Sequence, residues 1–79
     1  MPLRVFVSSA LRQLISGYSP MHGIELYVAK GTTVADVCKE LNIPVDDIKI
    51  VMVNGRNQSL DYRLQGDERV ALFPPIGGG

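Results

Sequence analysis

Apolar and polar positions alternate in three stretches of this chain, and each predicts a strand with one buried face. In Leu3-Arg4-Val5-Phe6-Val7-Ser8, Leu3, Val5 and Val7 point one way and Arg4, Phe6 and Ser8 the other. In Ile24-Glu25-Leu26-Tyr27-Val28-Ala29, Ile24, Leu26 and Val28 share a face opposite Glu25, Tyr27 and Ala29. In Glu68-Arg69-Val70-Ala71-Leu72-Phe73, Val70 and Leu72 face inward and Arg69, Ala71 and Phe73 outward. A fourth stretch, Ile48-Lys49-Ile50-Val51-Met52-Val53, is mostly apolar, as an interior strand would be. Asn54-Gly55 follows it as a strong hairpin signal, so Arg56-Asn57-Gln58 is expected to pair back as a polar edge strand.

One stretch changes period. Val34, Val37, Cys38 and Leu41 recur at helical spacing. Thr33 is a good N-cap, with Asp36 at the N3 position of a capping box. Asn42 and Pro44 end the helix, which is predicted over residues 34–42. Ala10 to Ile15 predicts a single helical turn inside the loop of residues 9–22. Pro44 to Asp47 and Gly66-Asp67 read as turns, and Leu60 to Leu64 as a turn or short 3₁₀ segment with Leu60 and Leu64 inward.

The loop between the first two strands makes them antiparallel neighbours. The order is strand, strand, helix, strand, short strand, strand, and one helix covers only one face of the sheet. The expected class is an α+β roll: a mixed four- to five-stranded sheet packed on one main helix. If the first and last strands pair in the middle they run parallel, and the β-grasp arrangement results.

After the last strand the chain reads Phe73-Pro74-Pro75-Ile76-Gly77-Gly78-Gly79. The prolines fix φ and remove two donors, so the strand must stop there. The glycines carry no side chain to pack, which predicts a domain over residues 1–76 and a flexible glycine tail over 77–79. From Phe73, six further residues at about 3.3–3.6 Å each reach on the order of 20 Å. Glycine has the smallest cross-section of any residue. Such a tail can thread a narrow channel and present the carboxylate of Gly79 to another protein's active site.

Composition narrows the function classes. Seventy-nine residues make one small domain that buries only about 60% of its unfolded surface. Hydrophobic content of 46% and charged content of 20% fit a globular chain. Eight basic and eight acidic residues cancel, leaving no basic field for nucleic acid and no polybasic membrane signal. One cysteine and one histidine offer neither an internal disulfide nor zinc spacing. No apolar run reaches spanning length, and residues 1–16 lack the long apolar core of a signal peptide. The expected location is cytoplasmic.

By its last strand the chain resembles the MoaD/ThiS family of ubiquitin-like sulfur carriers, and the molybdopterin branch more than the thiazole branch. The residues that carry the likeness are Ala10-Leu11-Arg12-Gln13-Leu14, Thr33-Val34-Ala35-Asp36-Val37, Val53-Asn54-Gly55, and Leu64 through Pro75 running into the glycine tail. The resemblance implies a β-grasp fold and a carrier that is no enzyme of its own. It implies that Gly79 is the acyl carrier, with Gly77 and Gly78 threading the tail into a partner. It further implies adenylation by a ubiquitin-activating-type adenylyltransferase that uses Mg-ATP, with no cofactor bound to the carrier. A persulfide or sulfide donor then makes the thiocarboxylate, and a synthase subunit accepts the sulfur for molybdopterin, the thiamin thiazole or another pathway. The third glycine, Gly77, departs from relatives that often place another small residue there.

Phe6 and Phe73 fall on the sheet face away from the helix. A partner-docking patch is expected there, formed by Phe6, Val51, Val53, Phe73, Pro74, Pro75 and Ile76, with Arg4, Arg69 and Lys49 at its rim. The bland alternative is that the loop of residues 9–22 folds over that face. Cys38, on the helix stripe, reads as a buried structural thiol. His22 reads as a lone loop histidine, Asp46-Asp47 as a turn, and the three tyrosines form no base-stacking platform. Three functions follow: a sulfur carrier, a protein modifier joined through Gly79 to lysines, or a β-grasp interaction module with an inert tail.

Overall fold

The computed structural model describes residues 2–8, 11–12, 15, 17–19 and 21–75. Among the described residues, five strands form a single sheet around one α-helix. Strand β1, Leu3–Val7, buries Leu3, Val5 and Val7 and leaves Arg4 exposed. Strand β2, Ile24–Leu26, pairs antiparallel to it through Leu3↔Leu26 and Val5↔Ile24. The alternation predicted a strand through Ala29, but β1 runs out first. Beyond Leu3 lies Pro2, which has no N–H to donate.

Helix α1, Val34–Glu40, opens on a complete capping box. The Asp36 N–H donates to Thr33 Oγ1 at 3.1 Å, and the Thr33 N–H donates to Asp36 Oδ2 at 3.2 Å. Val34, Val37 and Cys38 are buried. The helix stops two residues short of its predicted end because Asn42 turns to φ +60°. That left-handed residue lets the Ile43 N–H reach the Cys38 carbonyl at 2.8 Å, a helix-closing bond. A 3₁₀ turn at Val45–Asp47 leads into strand β3, Ile50–Val53. Asn54 and Gly55 both take positive φ, 51° and 81°, as a two-residue hairpin turn of the right twist requires. Strand β4, Arg56–Gln58, returns along the edge.

Strand β5, Arg69–Phe73, lies at the centre, and the sheet order is β2-β1-β5-β3-β4. It runs parallel to β1 through Val5↔Val70 and Val7↔Leu72, and antiparallel to β3 through Val51↔Leu72 and Val53↔Val70. This is the β-grasp roll. The core gathers Leu3, Val5, Val34, Val37, Leu64 and Leu72, each fully buried or nearly so.

The register corrects the expected docking patch. Residues directly opposite in adjacent strands share a face. Val51 and Val53 oppose Leu72 and Val70, so they point toward α1 and are buried, at 4% and 2% exposure. They are core residues, and Ile50 and Met52 take the outward face instead. Among the described residues, no helix is long and apolar enough to cross a membrane.

Candidate functional site

The face of the sheet opposite the helix is built by strand parity. Across the middle of that face run Phe6, Ala71 and Met52, aligned by the pairs Phe6↔Ala71 and Ala71↔Met52. Above this row, Ile50 opposes Phe73. Below it, Glu25, Arg4 and Arg69 are aligned by Arg4↔Glu25 and Arg4↔Arg69. The result is an apolar band with a charged border.

An open cleft of about 440 Å³ lies in the band, lined by Phe6, Met52, Gly55, Arg69, Ala71 and Phe73. Phe6, Met52, Ala71 and Phe73 are all half-buried, so each side chain keeps apolar surface in water. The guanidinium of Arg69 lies 4.6 Å from the centroid of the Phe6 ring, a cation–π contact. Arg4 is held at the border: its Nη2 is 3.0 Å from Glu25 Oε1, and its Nη1 donates to the His22 carbonyl at 3.0 Å.

The structure brings Phe6, Phe73 and Arg69 to one cleft. Pro74 is half-buried and Pro75 exposed, just past the end of β5. Lys49 is exposed, and its N–H donates to the Phe73 carbonyl at 2.8 Å. Ile76, Gly77, Gly78 and Gly79 lie outside the described residues.

The described part of the loop between β1 and β2 closes the open edge of β1 rather than the cleft. The Val7 N–H donates to Tyr18 Oη at 3.0 Å, and Arg12 Nε donates to the Val7 carbonyl at 3.3 Å. The loop touches the apolar face at its last residue, Gly23. A Cβ there would lie 2.9 Å from Phe6 Cε2 and 2.8 Å from the Val5 carbonyl oxygen.

Two residues of this site are hard to find in the sequence. Met52 sits in an unbroken apolar run, which shows no parity. Counting two-for-two back from the Asn54-Gly55 turn and across to β5 would have placed it. Gly23 reads only as a loop glycine, and its contact with Phe6 is a matter of tertiary packing.

Among the described residues, side chains elsewhere offer little chemistry of their own. Cys38 is buried in the core, and burial pushes its thiol up to about 11, against a smaller downward pull from a backbone hydrogen bond. It stays a protonated, shielded thiol at neutral pH. Asp46 and Asp47 are exposed in the 3₁₀ turn, and no group of three metal-ligating side chains occurs among the described residues. What the site can do is bind: it offers an apolar hollow that runs from a stacked cation at the start of the central strand to Phe73 at its end.

Comparison with known proteins agrees with this fold. The model of the ThiS family matches residues 11–79. Small archaeal modifier protein 1 of H. volcanii superposes with a TM-score of 0.72 at 19% identity, covering 95% of this chain and 98% of that one. A putative molybdopterin converting factor, subunit 1, from Pyrococcus furiosus gives 0.71 at 24% identity, covering 96% and 99%. At these identities the structural likeness speaks for the fold. Among curated proteins there is no match.

Proposed function

Since the chain belongs to the ThiS family, a family of small ubiquitin-fold sulfur carriers, we propose that it is a protein substrate whose Gly79 carboxylate is adenylated and converted to a thiocarboxylate. The observation that supports this most directly is the open apolar cleft beside the end of β5. Phe73 closes that strand and lines the cleft, so a partner seated there lies next to the segment running to Gly79.

The residue types suit the chemistry. A carboxylate is a poor acyl electrophile. Attack of its oxygen on the α-phosphorus of ATP releases pyrophosphate and leaves an acyl adenylate. A sulfide then attacks the acyl carbon, and AMP departs with the electron pair to leave the thiocarboxylate. A persulfide donor gives an acyl disulfide instead, whose S–S bond a second thiol cleaves, forming its own disulfide with the donor sulfur and releasing the thiocarboxylate. A side chain beside that carbon would hinder the attack, and glycine has none. The partner adenylyltransferase supplies Mg-ATP binding and stabilises the transition state. The carrier supplies the docking face and the reach. A synthase subunit that accepts the sulfur completes the set of partners. Pro74-Pro75 and Leu11-Arg12-Gln13-Leu14 favour the molybdopterin-type pathway, as does the likeness to the P. furiosus protein.

A second reading has its own support. The similarity to an archaeal modifier favours joining of the activated Gly79 to lysines of other proteins. The fate of the activated carboxylate separates the two. The untagged chain is incubated with ATP, a sulfur source and its host's adenylating enzyme, and its intact mass is measured. We expect a gain equal to one oxygen-to-sulfur exchange, lost when Gly79 is deleted. Species joined to lysines would establish the modifier instead. An unchanged mass across several candidate activating enzymes would overturn both and leave an interaction module.

A further inference from the structure

The cleft has two compartments that share one residue. The apolar hollow is floored by Phe6, Met52, Ala71 and Phe73. A polar hollow of about 240 Å³ adjoins it, lined by Pro2, Arg4, Asn54, Asp67 and Glu68. Arg69 lines both. Its guanidinium is exposed and laid against the Phe6 ring, so it stands at the lip of the apolar part.

Of the carboxylates around Arg69, Glu25 and Glu68 are committed elsewhere, and Asp67, exposed in the same polar hollow, makes no ion pair with it. Glu25 is engaged by Arg4 at 3.0 Å. The Glu68 carboxylate accepts backbone N–H groups from Gln65, Gly66 and Asp67. Among the described residues, no carboxylate lies within ion-pair distance of Arg69. An occupant of the apolar hollow must itself be apolar, because the floor has nothing to offer a buried polar group. Such an occupant also strips water from one side of the guanidinium, which then needs a counter-charge. A lysine or arginine at that point would be repelled. With Arg4 paired to Glu25, the one arginine that lines the apolar hollow, on a chain of zero net charge, suits a carboxylate better than a polyanion.

We propose that the cleft takes a segment of a partner protein in which an aliphatic or aromatic anchor stands directly beside an aspartate or glutamate. The anchor fills the hollow between Phe6, Met52 and Phe73, and the carboxylate meets the Arg69 guanidinium. The proposal rests on the carrier reading for the existence of a partner and adds what that partner must present. The 4.6 Å stack of Arg69 on Phe6 puts the guanidinium within reach of an acid placed next to the anchor.

The test needs neither ATP nor an activating enzyme, so its failure is separate from failure of the carrier chemistry. Blocked peptides acetyl-Leu-Leu-Glu-amide and acetyl-Leu-Leu-Gln-amide are titrated at millimolar concentrations into the ¹⁵N-labelled full chain at low salt. Amide shifts are expected at Phe6, Met52, Arg69, Ala71 and Phe73. The Glu peptide should bind about threefold more tightly, the scale of one exposed ion pair, and the gap should close at high salt. In Arg69→Gln the two peptides should become equal, while Arg69→Lys should keep part of the gap. Equal affinities in the unaltered protein, a gap that survives Arg69→Gln, shifts centred on another face, or no shifts with either peptide would each overturn the proposal.

Discussion

Glu68 carries a carboxylate into the interior at the turn where β5 begins, and it is only 4% exposed. Burial by itself would raise its pKa. The N–H groups of Gln65, Gly66 and Asp67, at 2.7, 2.9 and 3.2 Å, outweigh that and hold the carboxyl below the ordinary glutamate range. A folded-state pKa below the unfolded one means that the unfolded chain binds more protons as pH falls between the two values. The stability this group contributes is therefore present at neutral pH and is lost progressively below about pH 4. Glu68→Gln is expected to cost roughly 1.5–3 kcal/mol at pH 7, since the bonds it weakens are charge-assisted. Denaturant melts of both proteins should show this gap at neutral pH and its shrinkage near pH 3. A gap independent of pH would mean that packing, and not the charge, holds the turn. Gly23 is a second single-residue constraint. Its φ is +69°, and an added Cβ would press on the Val5 carbonyl and on the Phe6 ring together. Gly23→Ala should lower stability by about 1–3 kcal/mol and shift the Phe6 ring resonances, read by melts and by NMR. An alanine variant as stable as the parent would show that the loop yields freely at this point.

At the scale of elements, what could be read from the sequence depended on whether a stretch carried its own parity. β1 and β5 alternate, so their inward rows and the outward placement of Phe6, Ala71 and Phe73 are legible residue by residue. The helix is legible from its stripe and from Thr33 and Asp36. β3 is apolar on both faces, which is why Val51 and Val53 were expected on the docking face and Met52 was not. Only pairing with β5 decides which of its residues go inward. Element ends were less legible for a similar reason. β2 stops where β1 offers no further partner, and α1 stops where Asn42 adopts a left-handed turn. Both depend on contacts made by other parts of the chain. The parallel pairing of β1 with β5 joins segments at opposite ends of the sequence. No local signal carries it: in the sequence it stands only as a condition, and the β-grasp follows there from the family resemblance.

At the scale of the whole molecule, the proposed carrier would divide labour between its cleft and the residues that follow Phe73, and the two can be separated kinetically. In a carrier, the cleft sets how well the activating enzyme holds the chain, and Gly79 decides whether anything reacts. Met52→Asp puts a charge on the apolar floor without touching the core, since Met52 points away from the helix. Its amide spectrum should remain that of a folded protein. Its KM with the adenylating enzyme should rise at least tenfold, the effect expected on losing one central apolar contact of an interface, with kcat changed far less. A chain lacking Gly78 and Gly79 should behave in the opposite way. It should show no turnover, yet compete with the full-length chain at a Ki near the full-length KM, because its cleft is intact. If Met52→Asp is activated with unaltered KM, docking occurs on some other surface. If the shortened chain fails to compete, recognition resides in the last two residues, and the cleft serves a later partner such as the sulfur-accepting synthase subunit. Since KM reports affinity only when chemistry is slower than release, the same pair of variants should be compared in direct binding to the enzyme without ATP.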